Sequence, residues 1–207
     1  MMKYNAVVIG SSAGGLHALQ MIFSSISVEF PLPIAIVQHT GRDSSALAEL
    51  IATITELYVI EAEDKESFRP GTIHVAPADY HLMIQNDRTL SLSMSEKEHY
   101  SRPSIDVLFE SAADVFGSQL IGIILTGANK DGAEGLKRIK EKGGLTIVQD
   151  PQTAESKVMP QSAIEKADPQ CILPLEEIGP LLNELAGAPA SDNKRIKLKS
   201  GTTRNLR

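Results

Sequence analysis

A serine, a histidine and an aspartate each follow a separate apolar segment of this 207-residue chain. Ser12, His39 and Asp131 lie just after segments rich in β-branched residues. A serine hydroxyl is a weak nucleophile at neutral pH, but a histidine can take its proton. A carboxylate can then orient the imidazole and stabilise the imidazolium. The three residue types therefore predict nucleophilic hydrolysis if the fold brings them together.

Ser12 is the better placed nucleophile of the two adjacent serines, Ser11 and Ser12. It lies on a predicted strand-to-helix turn, and the free N–H groups of a helix N-terminus can stabilise an oxyanion. Gly14 and Gly15 allow the backbone to pack closely at this turn. Backbone N–H groups near Ala13 are the expected oxyanion donors.

Each of these residues also has an ordinary structural interpretation. The glycine- and serine-rich stretch 10–15 could serve only as a helix cap. His39 could be a partly buried histidine with its hydrogen bonds satisfied, and Asp131 could cap a helix before Gly132. A shared location favours catalysis, because the carboxyl ends of neighbouring parallel strands meet at one edge of a sheet.

The elements that must position these residues alternate between strand-like and helix-like patterns. Repeated strand–helix–strand units with buried strands predict an α/β fold, a doubly wound, mainly parallel sheet with helices on both faces. An antiparallel hairpin insertion is predicted in the middle of the chain. The predicted strands are 6–9, 34–37, 59–62, 120–125 and 145–148, and the hairpin segments are 72–75, 81–84 and 89–94. The predicted helices start near Leu16, at a cap formed by Asp43 or Ser44, at Pro103, and at 132, 160 and 175.

A nucleotide site is the main alternative for the glycine-rich turn. Its glycines, Gly10, Gly14 and Gly15, do not have the G-x-G-x-x-G spacing, and His39 stands where a dinucleotide fold needs an acid. No His, Cys or Asp spacing matches a metal motif, so we expect no metal site. The remaining histidines are interpreted as structural or exposed, and Cys171 as a small buried hydrophobic residue; these histidines are His17, His74, His81 and His99.

Composition narrows the class of protein further. The chain has 20 Lys and Arg against 26 Asp and Glu, a net charge of −6, which argues against general nucleic-acid binding. A single cysteine excludes an intramolecular disulfide framework and fits a reducing compartment. No apolar run reaches the ~18–20 residues of a membrane span, and the first apolar stretch is too short for a signal peptide. A cytoplasmic protein without membrane insertion is expected.

The order of several motifs resembles the catalytic domain of the chemotaxis protein-glutamate methylesterase, CheB. The similarity extends over about residues 4–185. It rests on the segments VVIGSSAGGLHAL, IVQHT, APAD with a following His, RPSIDVLF, ILTGANKDGAEGL and VMPQSAI. The resemblance implies a Ser–His–Asp esterase, with Ser12 as nucleophile, His39 as base and Asp131 as the carboxylate.

The resemblance also implies a reaction and a partner, with no metal or other cofactor. Such enzymes hydrolyse γ-methyl glutamyl esters on methyl-accepting chemotaxis receptors and release methanol, and some members deamidate receptor glutamines. This chain has Ala13 where the family usually has Thr, and Ala128-Asn129 where Met-Gly is common. Backbone support of the oxyanion by Ala13 and Ala128 survives such changes, whereas packing around the histidine differs. Arg102 is a candidate for contact with the acidic receptor helix, or else for a structural ion pair.

The expected organisation is a catalytic domain over 1–187 and a basic, disordered tail over 188–207. Residues 190–207 carry a net charge of +5 and residues 1–189 a net charge of −11. Family members typically begin with a receiver domain, and none precedes the first strand here. We therefore predict unregulated activity or regulation by a separate receiver protein, and the oligomeric state stays open. A non-catalytic receptor-binding adaptor and an esterase acting on another signalling protein are the alternatives.

Overall fold

The computed structural model describes residues 3–39, 45–98 and 101–189, with only the backbone of 45 and 46. These residues form nine strands and six α-helices. The strands are β1 (Ala6–Ser11), β2 (Ile34–Gln38), β3 (Tyr58–Glu61), β4 (Thr72–Val75), β5 (His81–Ile84), β6 (Leu90–Ser93), β7 (Leu120–Ile124), β8 (Leu145–Gln149) and β9 (Cys171–Leu173). The helices are α1 (Gly15–Phe23), α2 (Ser45–Ala52), α3 (Ile105–Phe116), α4 (Ala133–Glu141), α5 (Val158–Ala167) and α6 (Leu175–Ala186).

Seven strands form one fully parallel sheet in the order β3-β4-β2-β1-β7-β8-β9. β1 lies between β2 and β7, with Ser11 opposite Gln38 and Gly10 opposite Ile124. From β1 the chain first forms one side of the sheet, with β2, β3 and β4, and then the other side, with β7, β8 and β9. The sheet is therefore doubly wound, and its topological switch point is next to β1. The ends of β1, β2 and β7 therefore meet at the place where a ligand crevice is expected.

Two hydrophobic cores cover the two faces of the sheet. Successive side chains of a strand point to opposite faces, so Val7 and Ile9 belong to one core and Ala6 and Val8 to the other. The first core contains apolar residues of α1, α2 and α6, and the second contains residues of α3, α4, α5 and the β5–β6 hairpin. The predicted helices on both faces are confirmed.

One expectation about the middle of the chain was wrong, and one strand near its end has no counterpart among the predicted elements. Thr72–Val75 is a parallel strand between β2 and β3 rather than part of a hairpin, and the antiparallel hairpin consists of β5 and β6. Its four residues are all buried, as a central parallel strand requires. The short edge strand β9 was not predicted, although Cys171 within it is buried as expected.

Some expectations fall on parts of the chain outside the described residues. These are the helix cap at Asp43 or Ser44, the position of His99, and nearly all of the basic tail, from 190 onward. Within the described residues, no helix is both long and apolar enough to cross a membrane.

Candidate active site

His39 and Asp131 are in direct contact at the carboxyl edge of the sheet. His39 follows β2, Asp131 lies in the loop between β7 and α4, and His39 Nε2 is 2.9 Å from Asp131 Oδ2. The side chain of His39 keeps 13% of its surface exposed, whereas that of Asp131 is fully buried. The carboxylate is thus fully buried, while part of the imidazole remains accessible.

The N-terminus of α3 holds the Asp131 carboxylate in place. Ser104 Oγ and the Asp106 N–H donate to Oδ1 at 2.9 and 3.0 Å, and the Ile105 N–H donates to Oδ2 at 2.7 Å. Burial alone would raise the pKa of Asp131, but the hydrogen bonds from His39 and from these N–H groups outweigh it and lower the pKa. Asp131 is therefore ionised at neutral pH and accepts the N–H of His39 Nε2.

A second buried carboxyl group, Asp106, lies beside Asp131. Its Oδ1 accepts the Gly135 N–H at 2.7 Å, and the residue is 6% exposed. Burial raises the pKa of Asp106 to about 6, opposed by the hydrogen bond from Gly135 and reinforced by the charge of Asp131. The two neighbouring carboxyls thus have pKa values displaced in opposite directions.

Asp106→Asn is expected to change how stability depends on pH. Between about pH 4 and pH 6 the folded native protein binds more protons at Asp106 than the unfolded chain does, so its free energy of unfolding falls as pH rises. Asparagine cannot titrate, so the variant should lack this fall, which amounts to about 3 kcal/mol for a shift of about two pKa units. Urea denaturation of both proteins at pH 4 and pH 7 measures this change in the free energy of unfolding.

The matched control for this titration is Glu49→Gln, on an exposed position of α2. Its difference in unfolding free energy between pH 4 and pH 7 should equal that of the native protein. If the free energy of unfolding of Asp106→Asn also changed between pH 4 and pH 7 by the same amount as that of the native protein, the assignment of this pH dependence to Asp106 would be wrong.

Ser12 lies immediately after β1 and is partly exposed. Its N–H donates to Thr126 O at 2.9 Å, and its carbonyl accepts from Gly15 N at 2.8 Å. Among the described residues, Ser12 Oγ makes no hydrogen bond, and neither does the N–H of the exposed Ala13. Within the described residues, neither the Ser12 hydroxyl nor the Ala13 N–H thus has a protein partner.

Ser11 is a poor nucleophile in this structure. It is fully buried, and its Oγ donates to Gln38 Oε1 at 2.5 Å. Gln38 Nε2 in turn donates to the carbonyls of Ser12 and His39, at 2.8 and 2.9 Å. One buried amide therefore fixes the serine-bearing turn relative to the histidine.

Gly15 makes this arrangement possible. A Cβ atom at this position would overlap Gln38 Oε1 and would lie 2.8 Å from Ser11 Oγ. The preceding Gly14 has a φ of 77°, a left-handed conformation that suits glycine, and it caps α1. The two glycines thus allow α1 to start directly against the buried amide.

Gly15→Ala is expected to displace the Gln38 side chain and break its bonds to the two site carbonyls. Overpacking of this kind costs about 1–3 kcal/mol of stability. A displacement of about 1 Å in the site can lower the rate by about 100-fold. Thermal unfolding and steady-state kinetics measure the two effects. Met21→Ala, an exposed position on α1, is the matched control; equal results for the two variants would contradict this role of Gly15.

The loop after β7 carries the other side of the site. Thr126 Oγ1 donates to Ala13 O at 2.8 Å and accepts the Ser156 N–H at 2.8 Å, which joins the serine turn to the segment before α5. Ala128 is exposed on this loop. Asn129, which follows it, has its Nδ2 3.1 Å from His39 Nδ1. Both ring nitrogens of His39 therefore have partners from this one loop.

The comparison with family models decides the family. The model described as CheB methylesterase matches residues 7–182, which include Ser12, His39 and Asp131. The chain belongs to the CheB methylesterase family.

Individual CheB relatives support the same assignment. The chain is 49% identical over 185 residues to a Leptospira interrogans protein, covering 89% of this chain and 96% of that protein. It is 44% identical over 178 residues to the Carboxydothermus hydrogenoformans protein named protein-glutamate methylesterase/protein-glutamine glutaminase 1, covering 83% of this chain and 52% of that one. The chain thus spans about half of the latter protein.

A solved structure matches the fold of this CheB family member. The crystal structure of the Thermotoga maritima CheB methylesterase catalytic domain superposes with a TM-score of 0.84 at 39% identity. The match covers 88% of this chain and 98% of that chain. The family names support an enzyme, a protein-glutamate methylesterase, rather than the adaptor alternative.

Arg102 contacts protein backbone in this CheB structure. Its Nη1 donates to the carbonyls of Met94 and Ser95, both at 2.9 Å, at the end of the β5–β6 hairpin. These bonds tie the hairpin to the segment that leads into α3. A contact with substrate stays a prediction for Arg102.

The other described histidines are exposed or structural, as expected. His17 is exposed on α1, and His74 and His81 are fully buried. His81 Nε2 contacts Glu96 O at 2.9 Å, and its Nδ1 accepts the N–H of Ser104 at 3.2 Å. The part of the chain that the structure describes holds no group of three or more His, Cys, Asp or Glu able to bind a metal.

Sequence reasoning did not identify three residues that support the site. Gln38, Ser104 and Asn129 each make a side-chain hydrogen bond to a site residue or to its backbone. Gln38 had a detectable signal, because it is a polar residue that ends an otherwise apolar buried strand. Ser104 could have been recognised only as the N-cap of α3, which it is.

Proposed function

We propose that this chain hydrolyses methyl esters of glutamate side chains, with Ser12 as nucleophile, His39 as general base and Asp131 as the carboxylate that orients the histidine. The observation that carries this proposal is the 2.9 Å contact between His39 and the buried, anchored Asp131 at the sheet edge that also carries Ser12. Membership of the CheB methylesterase family supports the same reaction.

The proton positions follow from the Asp131 carboxylate. Because this group is ionised and can only accept, His39 carries its proton on Nε2 and its lone pair on Nδ1. In the acylation step the Ser12 Oγ–H proton passes to Nδ1 while Oγ bonds to the ester carbonyl carbon. Asp131 stabilises the resulting imidazolium.

The tetrahedral intermediate then collapses with loss of methanol. The imidazolium gives its proton to the leaving methoxide oxygen, and the acyl group remains on Ser12. Water gives a proton to His39 while its oxygen bonds to the acyl carbon. The second tetrahedral intermediate collapses by breaking the bond from carbon to Ser12 Oγ, His39 returns the proton to Oγ, and the glutamic acid product leaves and ionises. We assign stabilisation of the oxyanion to the N–H of Ala13, with Ala128 on the facing loop as the second backbone candidate.

The proposed substrate is a methylated glutamate of a chemotaxis receptor. Support comes from the chemotaxis methylesterase family and from the relatives' names, which include protein-glutamine glutaminase. Deamidation of receptor glutamines uses the same acyl-enzyme with ammonia as the leaving group, so we include it. We place the reaction in the cytoplasm. A separate receiver protein stays a predicted partner.

Methanol and ammonia release test this substrate assignment. We expect methanol from a receptor signalling fragment methylated on glutamate, and slower release of p-nitrophenol from a generic p-nitrophenyl ester. The matched substrate is the same fragment with glutamine at the methylated position, which should release ammonia. Hydrolysis of the generic ester with no methanol from methylated receptor would favour the alternative of an esterase for another signalling protein.

A further inference from the structure

The nitrogen that must accept the Ser12 proton already has a different partner. Asn129 Nδ2 lies 3.1 Å from His39 Nδ1, while Nε2 is committed to Asp131. Among the described residues, no hydrogen bond links Ser12 Oγ to His39. In the substrate-free protein, the side chain of Asn129 rather than that of Ser12 is therefore the partner of His39 Nδ1.

The orientation of the Asn129 amide is fixed by a second contact. The N–H of Asp131 donates to Asn129 Oδ1 at 3.2 Å, so the amide oxygen faces Asp131 and the NH₂ group faces His39. Nδ1 carries a single lone pair in the plane of the ring and can accept one strong hydrogen bond. The amide of Asn129 and the hydroxyl of Ser12 thus compete for the same lone pair.

We propose that Asn129 is a positioning residue that holds His39 Nδ1 in the resting enzyme and must leave it before Ser12 is activated. The inference rests on the proposed roles of Ser12 and His39. Once Nδ1 has taken the serine proton it becomes a donor, and Asn129 Nδ2, also a donor, can no longer bond to it. Asn129 is only half-buried, and its neighbours in the loop, Ala128 and Lys130, are exposed. In the proposed step the amide rotates from His39 toward solvent.

The expected consequence is a serine that reacts faster when Asn129 is removed. Asn129→Ala should raise the second-order rate of labelling by a fluorophosphonate by about fivefold, the net effect of one neutral hydrogen bond. Lys130→Ala, an exposed change in the same loop, is the matched control and should leave the labelling rate unchanged.

An NMR measurement makes the test independent of reactivity. In protein labelled with ¹⁵N-histidine, the Nδ1 resonance of His39 should have the shift of a hydrogen-bonded lone-pair nitrogen. It should move toward that of a free lone-pair nitrogen in Asn129→Ala and stay in place in Lys130→Ala. His39→Gln identifies the resonance by its disappearance.

These experiments test the role of Asn129 separately from the catalytic role of Ser12. An unmoved Nδ1 resonance in Asn129→Ala would overturn the competition, and so would a labelling rate that is unchanged or lower. Labelling that is absent from the native protein would instead contradict the role of Ser12. The NMR result would still decide whether Asn129 holds Nδ1.

Discussion

Ser12→Ala is expected to lower methanol release from methylated receptor by about 10,000-fold or more, because the covalent route is lost with the nucleophile. Residual activity would come from water attacking an ester that the oxyanion donors still polarise. The Ser12 hydroxyl makes no hydrogen bond among the described residues, so its removal should leave thermal unfolding close to that of the native protein. Initial rates of methanol release at saturating receptor measure the effect.

Ser11→Ala is the matched control, because it removes a hydroxyl one residue away. Ser11 is fully buried and bonded to Gln38, so its loss should lower stability modestly and retain most of the activity. Full activity in Ser12→Ala, or an equal loss in both variants, would contradict the assignment of Ser12.

Asp131→Asn is expected to damage activity and stability together. Three donors from Ser104, Ile105 and Asp106 converge on the two carboxylate oxygens, and His39 is the fourth. In Asp131→Asn an NH₂ group replaces one of the two carboxylate oxygens. This NH₂ group would point at hydrogen-bond donors, so the buried groups that donate to that oxygen would lose their acceptor. We expect a loss of about 2–5 kcal/mol of stability, because each buried donor left without an acceptor costs about 1–3 kcal/mol. A histidine in the wrong tautomer should also lower turnover about 10,000-fold.

The pH dependence of stability gives an additional check on Asp131. Because the pKa of Asp131 is lowered in the folded protein, the stability contributed by its ionised form is present above the unfolded pKa, near 4. This stability is lost as pH falls through the lower, folded pKa. Urea denaturation should therefore show that the native protein and Asp131→Asn differ most at neutral pH and converge in acid.

A suitable control is Asp87→Asn in the turn between β5 and β6. Asp87 is exposed, and its Oδ1 accepts the N–H and hydroxyl of Thr89, which an asparagine oxygen can also accept. Its activity and stability should stay close to native. An Asp131→Asn protein as stable and active as Asp87→Asn would rule out the proposed role of Asp131.

The edge of the sheet that carries the candidate site could be predicted from sequence, because parallel strands all end at the same edge. Three buried apolar segments end shortly before Ser12, His39 and Asp131. In a doubly wound sheet these segments run side by side in parallel, so the polar residues that follow them meet at one edge of the sheet. The structure confirms the three underlying strands and brings His39 against Asp131. The roles of the residues themselves stay predictions.

The errors have a common physical cause. The sequence pattern of 72–75 and the two segments after it predicts antiparallel hairpins. In the structure all four residues of Thr72–Val75 are buried in the interior of the sheet and pair in parallel. The bond from Ser104 to Asp131 and that from Asn129 to His39 join residues 27 and 90 positions apart. Contacts of this kind depend on tertiary placement, which periodicity and local propensity do not encode.

The most direct test of the account is to locate the residue that becomes covalently modified. The native protein would be labelled with a fluorophosphonate, digested, and analysed by mass spectrometry. We predict one label per chain, on Ser12, with loss of methanol release in proportion to labelling, and no label in Ser12→Ala. Modification at Ser11 or elsewhere with the same loss of activity, or methanol release that persists in fully labelled protein, would contradict the mechanism.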